Sequence, residues 1–285
     1  MEQFLYWKEN QFGWKWFKSI MVFLTLFHKQ GFSYSSINTA KSTLMTFVTV
    51  NNSSSWSSDQ DLNRFLKGIY NSKPPMPRYS TTWDVNIILN FLANWMPLED
   101  LTLKELTLKT VTWIALVSGN SAQSIHEMKL NRYHEAQNQM VFYFGCKLKT
   151  SNPHKKVKKF SLNKFQDNAL CVVYTLKQYI KVTENIKKGN QLWLSWIKPH
   201  EPVDRQTISR WLKQTLKLGG IDTSKFSGHS TRMAATSKAH AMGVGLSTIL
   251  NTAGWASKHN FIKFYCRDRN KNDQDFAAAV LDITK

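Results

Sequence analysis

The spacing of apolar positions predicts helices over most of the first 70 residues. Apolar side chains recur three and four residues apart over residues 17–27 and again over residues 36–50. Gly31, between the two segments, is expected to end the first helix. A polar loop, residues 51–58, separates these from a third helical segment, residues 62–70. The pattern therefore predicts an all-helical N-terminal domain over residues 1–72.

A proline-rich stretch then interrupts the pattern. Pro74, Pro75 and Pro77 stand within four positions, and three prolines so close together fit neither a helix nor a central strand. Residues 73–82 are therefore predicted to be a linker, and residues 83–285 a second domain.

In the second domain the spacing of apolar residues changes from the helical period to a period of two residues, and then returns to the helical period. Helices are predicted first, with Trp83, Ile87 and Ile88 on one apolar face and a further helix over residues 103–117. Alternation predicts short strands at residues 139–144 and 157–162, on either side of a basic turn. Helices follow over residues 168–183 and 205–218, with shorter ones over 230–270. The predicted fold class is mainly α with a small antiparallel sheet.

Charge narrows the classes of partner. The chain of 285 residues has 38 Lys+Arg against 19 Asp+Glu, a formal charge of +19, which favours an anionic partner such as nucleic acid or an acidic membrane. The apolar run 20–27 is far shorter than a membrane-spanning helix.

Three cysteines without a CxxC pair argue against a disulfide framework or a zinc finger, so no metal is expected.

The stretch FSGHSTRMAA, residues 226–235, has the residue types of a phosphate site. Gly228 suits a turn into a helix, Ser230 or Thr231 can cap that helix, and His229 and Arg232 project from the same side of its first turn. An imidazole, a guanidinium and free backbone N–H groups at a helix start can hold a phosphate. His-x-x-Arg alone is common in proteins.

Two aromatic residues follow at regular distances. Trp255 stands 26 residues after His229, and Tyr265 stands ten residues after Trp255. Taken singly, Trp255 is equally a core tryptophan, Tyr265 an aromatic side chain on a terminal helix, and Lys149 one of a group of solvated lysines. Their order and spacing together resemble the C-terminal signature of the tyrosine recombinases, the phage-integrase-like family.

The resemblance extends beyond this signature. The string GHSTRMAATSKA…GVGLSTILNTAGWAS…FIKFYCR is similar to the versions found in eukaryotic mobile elements of the DIRS and Crypton type. Residues 147–153, KLKTSNP, resemble the lysine-bearing β-hairpin of the family, with Lys149 in the place of its catalytic lysine. Residues 65–85 resemble the domain junction of those elements. The resemblance implies a tyrosine-recombinase catalytic domain preceded by a helical, SAM-like core-binding domain.

The resemblance implies a role for each residue. The phenol of Tyr265 attacks a phosphodiester and forms a 3′-phosphotyrosine, which conserves the bond for rejoining. His229 and Arg232 hold the non-bridging oxygens, and Lys149 protonates the leaving 5′ oxygen. Trp255 contributes one hydrogen bond from its indole N–H to the phosphate, together with packing. No metal or cofactor is required.

One position departs from the family pattern. Where the family has its first catalytic arginine, after the helix that precedes the sheet, the run SGNSAQSI (residues 118–125) has Ser121. A serine hydroxyl cannot replace a guanidinium. An active recombinase with a rescuing arginine from elsewhere, a DNA-binding derivative without catalysis, and a basic interaction protein with accidental motifs all remain open.

Binding to double-stranded DNA is the expected activity in the first two cases. As in the family, the two basic domains are expected to close around a duplex and to self-associate there, as a synaptic tetramer, with no membrane and no small-molecule cofactor involved. Lys147, Lys155 and Lys156 are candidates for phosphate contacts, and Arg210 and Lys213 for contacts in a groove. Nuclear residence is expected if the chain is eukaryotic.

Overall fold

A computed structural model describes residues 16–52, 60–76, 79–144, 159–255 and 258–264. The chain divides into two compact units, Met1–Met76 and Pro77–Lys285. The proline-rich segment that the sequence marks as a linker, residues 73–82, spans this division. Within the described ranges, no helix is both long and apolar enough to cross a membrane.

The described residues of the first unit form helices packed around a small apolar core. These are α1 (Trp16–Lys29), α2 (Tyr34–Asn52) and α3 (Gln60–Ser72). Gly31, with φ of 85°, makes the turn between α1 and α2, a conformation that favours glycine. The core comprises the apolar side chains on the inner faces of all three helices: Ile20, Phe23, Leu24, Ile37, Leu44, Met45, Leu62, Leu66 and Ile69.

The second unit places helices before and after a small sheet. The helices before the sheet are α4 (Val85–Ala93), α5 (Leu103–Ser118) and α6 (Ala122–His126). Those after the sheet are α7 (Val172–Thr183), α8 (Arg205–Leu218), α9 (Ser230–Ala241), α10 (Leu246–Thr252) and α11 (Lys258–Phe264). Single 3-10 turns lie at Leu98–Asp100, Leu130–Arg132 and Glu184–Ile186. The predicted fold class, mainly helical with a small antiparallel sheet, is confirmed.

The sheet has the order β1-β2-β3, with β1 at Tyr133–Ala136, β2 at Gln139–Tyr143 and β3 at Lys159–Asn163, and both pairings are antiparallel. Phe142 of β2 lies opposite Tyr133 on one side and Phe160 on the other. Sequence periodicity did not identify β1, because none of its residues is fully buried and its alternation is weak.

Helix α5 is the centre of this unit. Every residue from Leu106 to Leu116 is buried, and α5 packs against α7, α8 and α9. It begins at a capping box formed by Thr102 and Glu105 and ends at Gly119, which has the left-handed φ of 60°. The turn that contains Ser121 therefore directly follows a deeply buried helix.

Two predicted details are wrong. Helix α7 begins at Val172 instead of near residue 168, because the thiol of Cys171 accepts the backbone N–H of Tyr174 and caps the helix there. Ile87 was predicted on the apolar face of α4, but Asp84 caps that helix and its buried positions are Val85, Ile88 and Leu92, which leaves Ile87 46% exposed.

Lys109 in α5 is a lysine with no exposed surface. Its Nζ donates to the carbonyl oxygen of Trp95 at 2.6 Å, and burial lowers the pKa of Lys109 to about 8, partly opposed by Asp167. An unfolded lysine keeps a pKa near about 10.4. Between pH 8 and 10 the unfolded chain therefore binds more protons than the folded chain, so stability rises with pH.

We expect Lys109→Met to raise the free energy of unfolding at pH 7 by about 1 to 3 kcal/mol, because a buried charge is replaced by an apolar chain of similar length. The gain should shrink as pH rises from 8 to 10, where wild-type Lys109 becomes neutral in the fold. Urea unfolding at pH 7 and at pH 10 measures the free energy of unfolding of wild type and variant. The control is Lys104→Met, which replaces an exposed lysine of the same helix. A free energy of unfolding below that of wild type at pH 7 would contradict the prediction. The hydrogen bond to Trp95 would then stabilise the fold by more than burial of the charge destabilises it.

Candidate phosphate-binding site

His229 and Arg232 stand at the start of α9, on a turn that only glycine allows. His229 is the residue before the helix and is exposed, and Arg232 lies one turn in and is half-buried. A Cβ on Gly228 would lie 2.4 Å from the carbonyl oxygen of Ser209 and 3.1 Å from Cβ of Leu212. Helix α8 therefore supports the turn from behind, and His229 faces outward.

The backbone of this turn is already hydrogen-bonded. The hydroxyls of Ser230 and Thr231 donate to the carbonyl oxygens of Ser227 and Gly228, both at 2.7 Å. The backbone N–H groups of the same two residues donate to the same oxygens, at 2.9 and 3.4 Å. Two sequence predictions are therefore wrong: neither hydroxyl caps the helix, and these N–H groups are not free. The side chains are left to contact a phosphate.

Arg232 is held from two sides. Its Nη2 donates to the carbonyl oxygen of Ala253 at 2.8 Å, and its Cζ lies 3.8 Å from the centre of the Trp255 ring. Phe261, which is fully buried, meets the Trp255 ring edge-on at 5.8 Å. The guanidinium thus rests on an indole that is itself backed by the core, a cation–π contact. The sequence predicted packing for Trp255 and a bond from its N–H to the phosphate; the ring face makes the packing contact, with Arg232, and the bond to the phosphate stays a prediction.

The turn after α5 packs onto the same place. A Cβ on Gly119 would lie 2.9 Å from Cγ2 of Thr236 and 3.1 Å from Cβ of Ala253, so glycine is required both for space and for its φ of 60°. The side-chain amide of Asn120 donates to the carbonyl oxygen of Thr252 at 3.2 Å. The turn is therefore packed against Thr236 of α9. It also contacts Thr252 and Ala253, and the backbone oxygen of Ala253 accepts the hydrogen bond from Arg232.

Ser121 follows directly and serves as a helix cap. Its hydroxyl oxygen accepts the backbone N–H of Ser124 at 3.4 Å, which caps the short helix α6. The side chain is neutral, short and half-buried. Ser121 therefore directly follows the turn that packs against Thr236 and Ala253, and it is a neutral hydroxyl at the position where the family pattern has an arginine.

A basic face of α8 lies beside the turn. Arg210 and Lys213 are both exposed, and Nη2 of Arg210 donates to the Thr207 hydroxyl at 2.7 Å. The backbone N of Lys213 would lie 3.3 Å from a Cβ on Gly228, so Lys213 belongs to the helical turn that supports His229. Both residues are positioned to add positive potential near the site, and their contact with a DNA groove stays a prediction.

The other predicted site residues lie outside the described residues. These are Tyr265, Lys149, Lys147, Lys155 and Lys156. In the part of the chain that the structure describes, no group of three or more His, Cys, Asp or Glu could hold a metal ion.

Sequence reasoning did not assign a role to Asn120 or Ala253. Asn120 joins two turns that are far apart in the chain, and Ala253 acts through its backbone oxygen. The one signal for such a close approach was glycine: Gly119 and Gly254, both with positive φ, stand next to these two residues. Nothing in the sequence tells which segments those glycines bring together.

Residues 84–272 match the model of the phage integrase family. No curated protein matches the chain significantly.

Solved structures resemble the chain over nearly its whole length. The XerH site-specific recombinase bound to palindromic difH substrate, in a post-cleavage complex, has a TM-score of 0.60 at 13% identity, covering 91% of this chain and 70% of that one. The Tn1549 transposon integrase in complex with transposon right end DNA has a TM-score of 0.62 at 14% identity, covering 98% and 90%. A lambda integrase dimer bound to a COC′ core site has a TM-score of 0.53 at 16% identity, covering 90% and 81%. At these identities the likeness establishes the fold.

Proposed function

The chain belongs to the phage integrase family, and we propose that it binds duplex DNA and breaks and rejoins its strands through a 3′-phosphotyrosine on Tyr265. The observation that carries the proposal is the grouping of Arg232, Trp255 and the Ser121 turn, with His229 exposed at the start of the same helix. This is the arrangement needed to hold the non-bridging oxygens of one phosphodiester.

In the proposed reaction the site stabilises an increasingly negative, five-coordinate phosphorus. The O–P bond to Tyr265 forms as the P–O5′ bond breaks; the phenol gives its proton to water, and the 5′ oxygen takes a proton from Lys149. Arg232 presents a planar fork of donors whose orientation is fixed by the Ala253 oxygen and the Trp255 ring. His229 adds a second donor at the helix start.

A second candidate function is DNA binding without strand cleavage, and Ser121 favours it. The position that holds an arginine in the family holds a hydroxyl engaged in capping α6. Loss of one preorganised donor costs a rate factor on the order of 10² to 10³. The binding surface does not depend on Ser121, so both candidates share the affinity for DNA.

Affinity for DNA should depend strongly on salt. The formal charge of +19 and the exposed Arg210 and Lys213 favour neutralisation of several phosphates, each of which releases counterions. We expect the logarithm of the association constant for a random-sequence duplex to fall linearly with the logarithm of salt concentration. Arg210→Gln and Lys213→Gln should each reduce the slope by about 1, whereas Lys188→Gln, an exposed lysine paired with Glu201, should leave it nearly unchanged. A flat salt dependence would contradict duplex binding.

We further propose self-association on DNA. Among the relatives, lambda integrase was solved as a dimer bound to its core site, and in another structure as a tetramer bound to a Holliday junction. Sedimentation with and without duplex would show this, because binding of one monomer per duplex at all concentrations contradicts it.

Strand cleavage is tested with a nicked duplex, from which the short cleaved strand diffuses away and traps the covalent complex. A protein–DNA adduct that Tyr265→Phe abolishes establishes the chemistry. DNA binding without an adduct identifies the second candidate, and absence of both contradicts the whole proposal.

A finer assignment rests on the string GHSTRMAATSKA and its continuation to residue 267. We propose that the chain comes from the eukaryotic mobile-element branch of the family, of the DIRS or Crypton type, and acts in the nucleus. A fluorescent fusion of the full chain in a eukaryotic cell tests the location; exclusion from the nucleus contradicts it.

A further inference from the structure

The end of the predicted linker and the residues directly after it, residues 79–86, contact the turn that carries His229 and the helix that follows it. The hydroxyl of Tyr79 lies 2.8 Å from the hydroxyl oxygen of Ser227 and accepts the backbone N–H of Ser227 at 3.3 Å. The ring of Tyr79 also packs against that of Phe226, with centres 5.5 Å apart. One phenol therefore meets both the backbone and the side chain of the turn, two residues before His229.

A second aromatic residue of the segment reaches the other end of the turn. Trp83 is 5% exposed, and its indole N–H donates to the hydroxyl oxygen of Ser230 at 2.9 Å. That hydroxyl in turn donates to the carbonyl oxygen of Ser227 at 2.7 Å. The contacts run from Trp83 through Ser230 to Ser227, where Tyr79 also binds, so the two aromatic residues hold the turn at both ends.

The same segment continues beside α9. Nζ of Lys238 donates to Oδ1 of Asn86 at 2.5 Å, which joins the first turn of α4 to the third turn of α9. On the opposite side, α8 supports Gly228 at van der Waals distance. His229 is exposed and directly precedes α9, so the backbone of this turn sets where its side chain begins.

We propose that Tyr79 and Trp83 are positioning residues for the phosphate-binding turn. Neither touches the phosphate; they fix the turn so that His229 and Arg232 meet one phosphate together. This inference rests on the proposed function of the turn. A positioning role matters because small displacements of a donor from the phosphate weaken a preorganised site sharply.

The variant that separates positioning from folding is Tyr79→Phe. It keeps the ring and its contact with Phe226 and removes the hydroxyl, which contacts both the side chain and the backbone N–H of Ser227. The matched control is Tyr174→Phe, which removes a phenol hydroxyl that donates to Glu99 at 3.3 Å, on α7. Trp83→Phe is a second variant, which removes the indole N–H from Ser230.

The experiment follows His229 directly and does not require catalysis. The full chain is labelled with ¹³C-histidine, the His229 signal is assigned with His229→Gln, and inorganic phosphate is titrated while the chemical shift is followed. We expect Tyr79→Phe to bind phosphate about tenfold more weakly at this site, the equivalent of one or two lost hydrogen bonds. Because these hydrogen bonds also stabilise the free fold, a fall in melting temperature of about 2 to 4 °C is expected. The affinity for a random-sequence duplex should stay close to that of wild type, and Tyr174→Phe should bind phosphate as wild type does.

Each other outcome has a distinct meaning. If wild type responds to phosphate and Tyr79→Phe responds equally, the positioning role is wrong and the proposed function stands. If the weaker response of Tyr79→Phe comes with a fall in melting temperature well beyond these few degrees, or appears equally in Tyr174→Phe, the role is structural only and the inference is overturned. If His229 of wild type does not respond at all, the turn is not a phosphate site, and both the proposed function and this inference fail.

Discussion

Ser121→Arg raises the rate of covalent adduct formation with a nicked duplex by a factor on the order of 10² to 10³ or more, because it returns a charged donor to a preorganised site. The Ser121 turn is already fixed by Gly119, which packs on Thr236 and Ala253, and by the bond from Asn120 to Thr252. The surrounding backbone therefore needs no rebuilding to receive the new side chain.

The same substitution lowers stability. The Ser121 hydroxyl caps α6, and loss of such a cap costs about 0.5 to 2 kcal/mol. Ser121→Ala is the matched control, because it removes the cap without adding a cation: it should lose the same stability and gain no activity. Adduct formation is measured by gel under single-turnover conditions, and stability by urea unfolding.

The outcome distinguishes the two candidate functions. An inert wild type and an active Ser121→Arg identify a chain that lost cleavage through this residue. If wild type already forms the adduct and Ser121→Arg does not raise the rate, another cation stabilises the transition state in place of the missing arginine. If both are inert, the loss of catalysis has further causes outside this turn.

Trp255→Ala should reduce adduct formation by about 30-fold, because removal of the indole releases the guanidinium of Arg232 from its supporting ring. A desolvated cation–π contact contributes about 2 kcal/mol, which corresponds to that factor. If wild type is too slow, the series is measured in the Ser121→Arg background. Trp196→Ala, which removes a ring that stacks on Trp211 at 4.7 Å, is the control for general loss of packing.

Two further variants decide how Trp255 acts. Trp255→Phe keeps a ring face under Arg232 and loses the N–H, whereas Trp255→His keeps an N–H donor on a smaller ring. Because the observed contact is made by the ring face, Trp255→Phe should retain more activity than Trp255→His. The reverse order would mean that the indole N–H bonds the phosphate, as the sequence alone suggested.

The fold class was predicted from the periodicity of apolar residues, whereas the grouping of the site was predicted from residue spacing and family resemblance. Helices such as α8 have a strong apolar face, so their bounds follow from the sequence; the predicted range 205–218 is the observed Arg205–Leu218. Strand β1 has no such face and was not predicted. The grouping of His229, Arg232 and Trp255 came from their order along the chain and from family resemblance.

The contacts within the site could not be predicted from the sequence. They depend on where chain segments meet: Ala253 binds Arg232 through a backbone oxygen that every residue has, and Thr252 binds Asn120 in the same way. Local propensity also misled, since serine and threonine favour helix caps, yet at Ser230 and Thr231 the hydroxyls donate backward into the turn.

The contacts of Tyr79 and Trp83 bear on how this protein should be divided for biochemical work. The match to the phage integrase family begins at residue 84, so a fragment trimmed to residues 84–272 would lose both aromatic side chains while keeping every helix of the second unit's described part. Such a fragment would lose a core residue, because Trp83 belongs to the apolar core of the second unit, and it would also lose both contacts that hold the turn before His229. Truncations intended to isolate the second unit should begin before Tyr79.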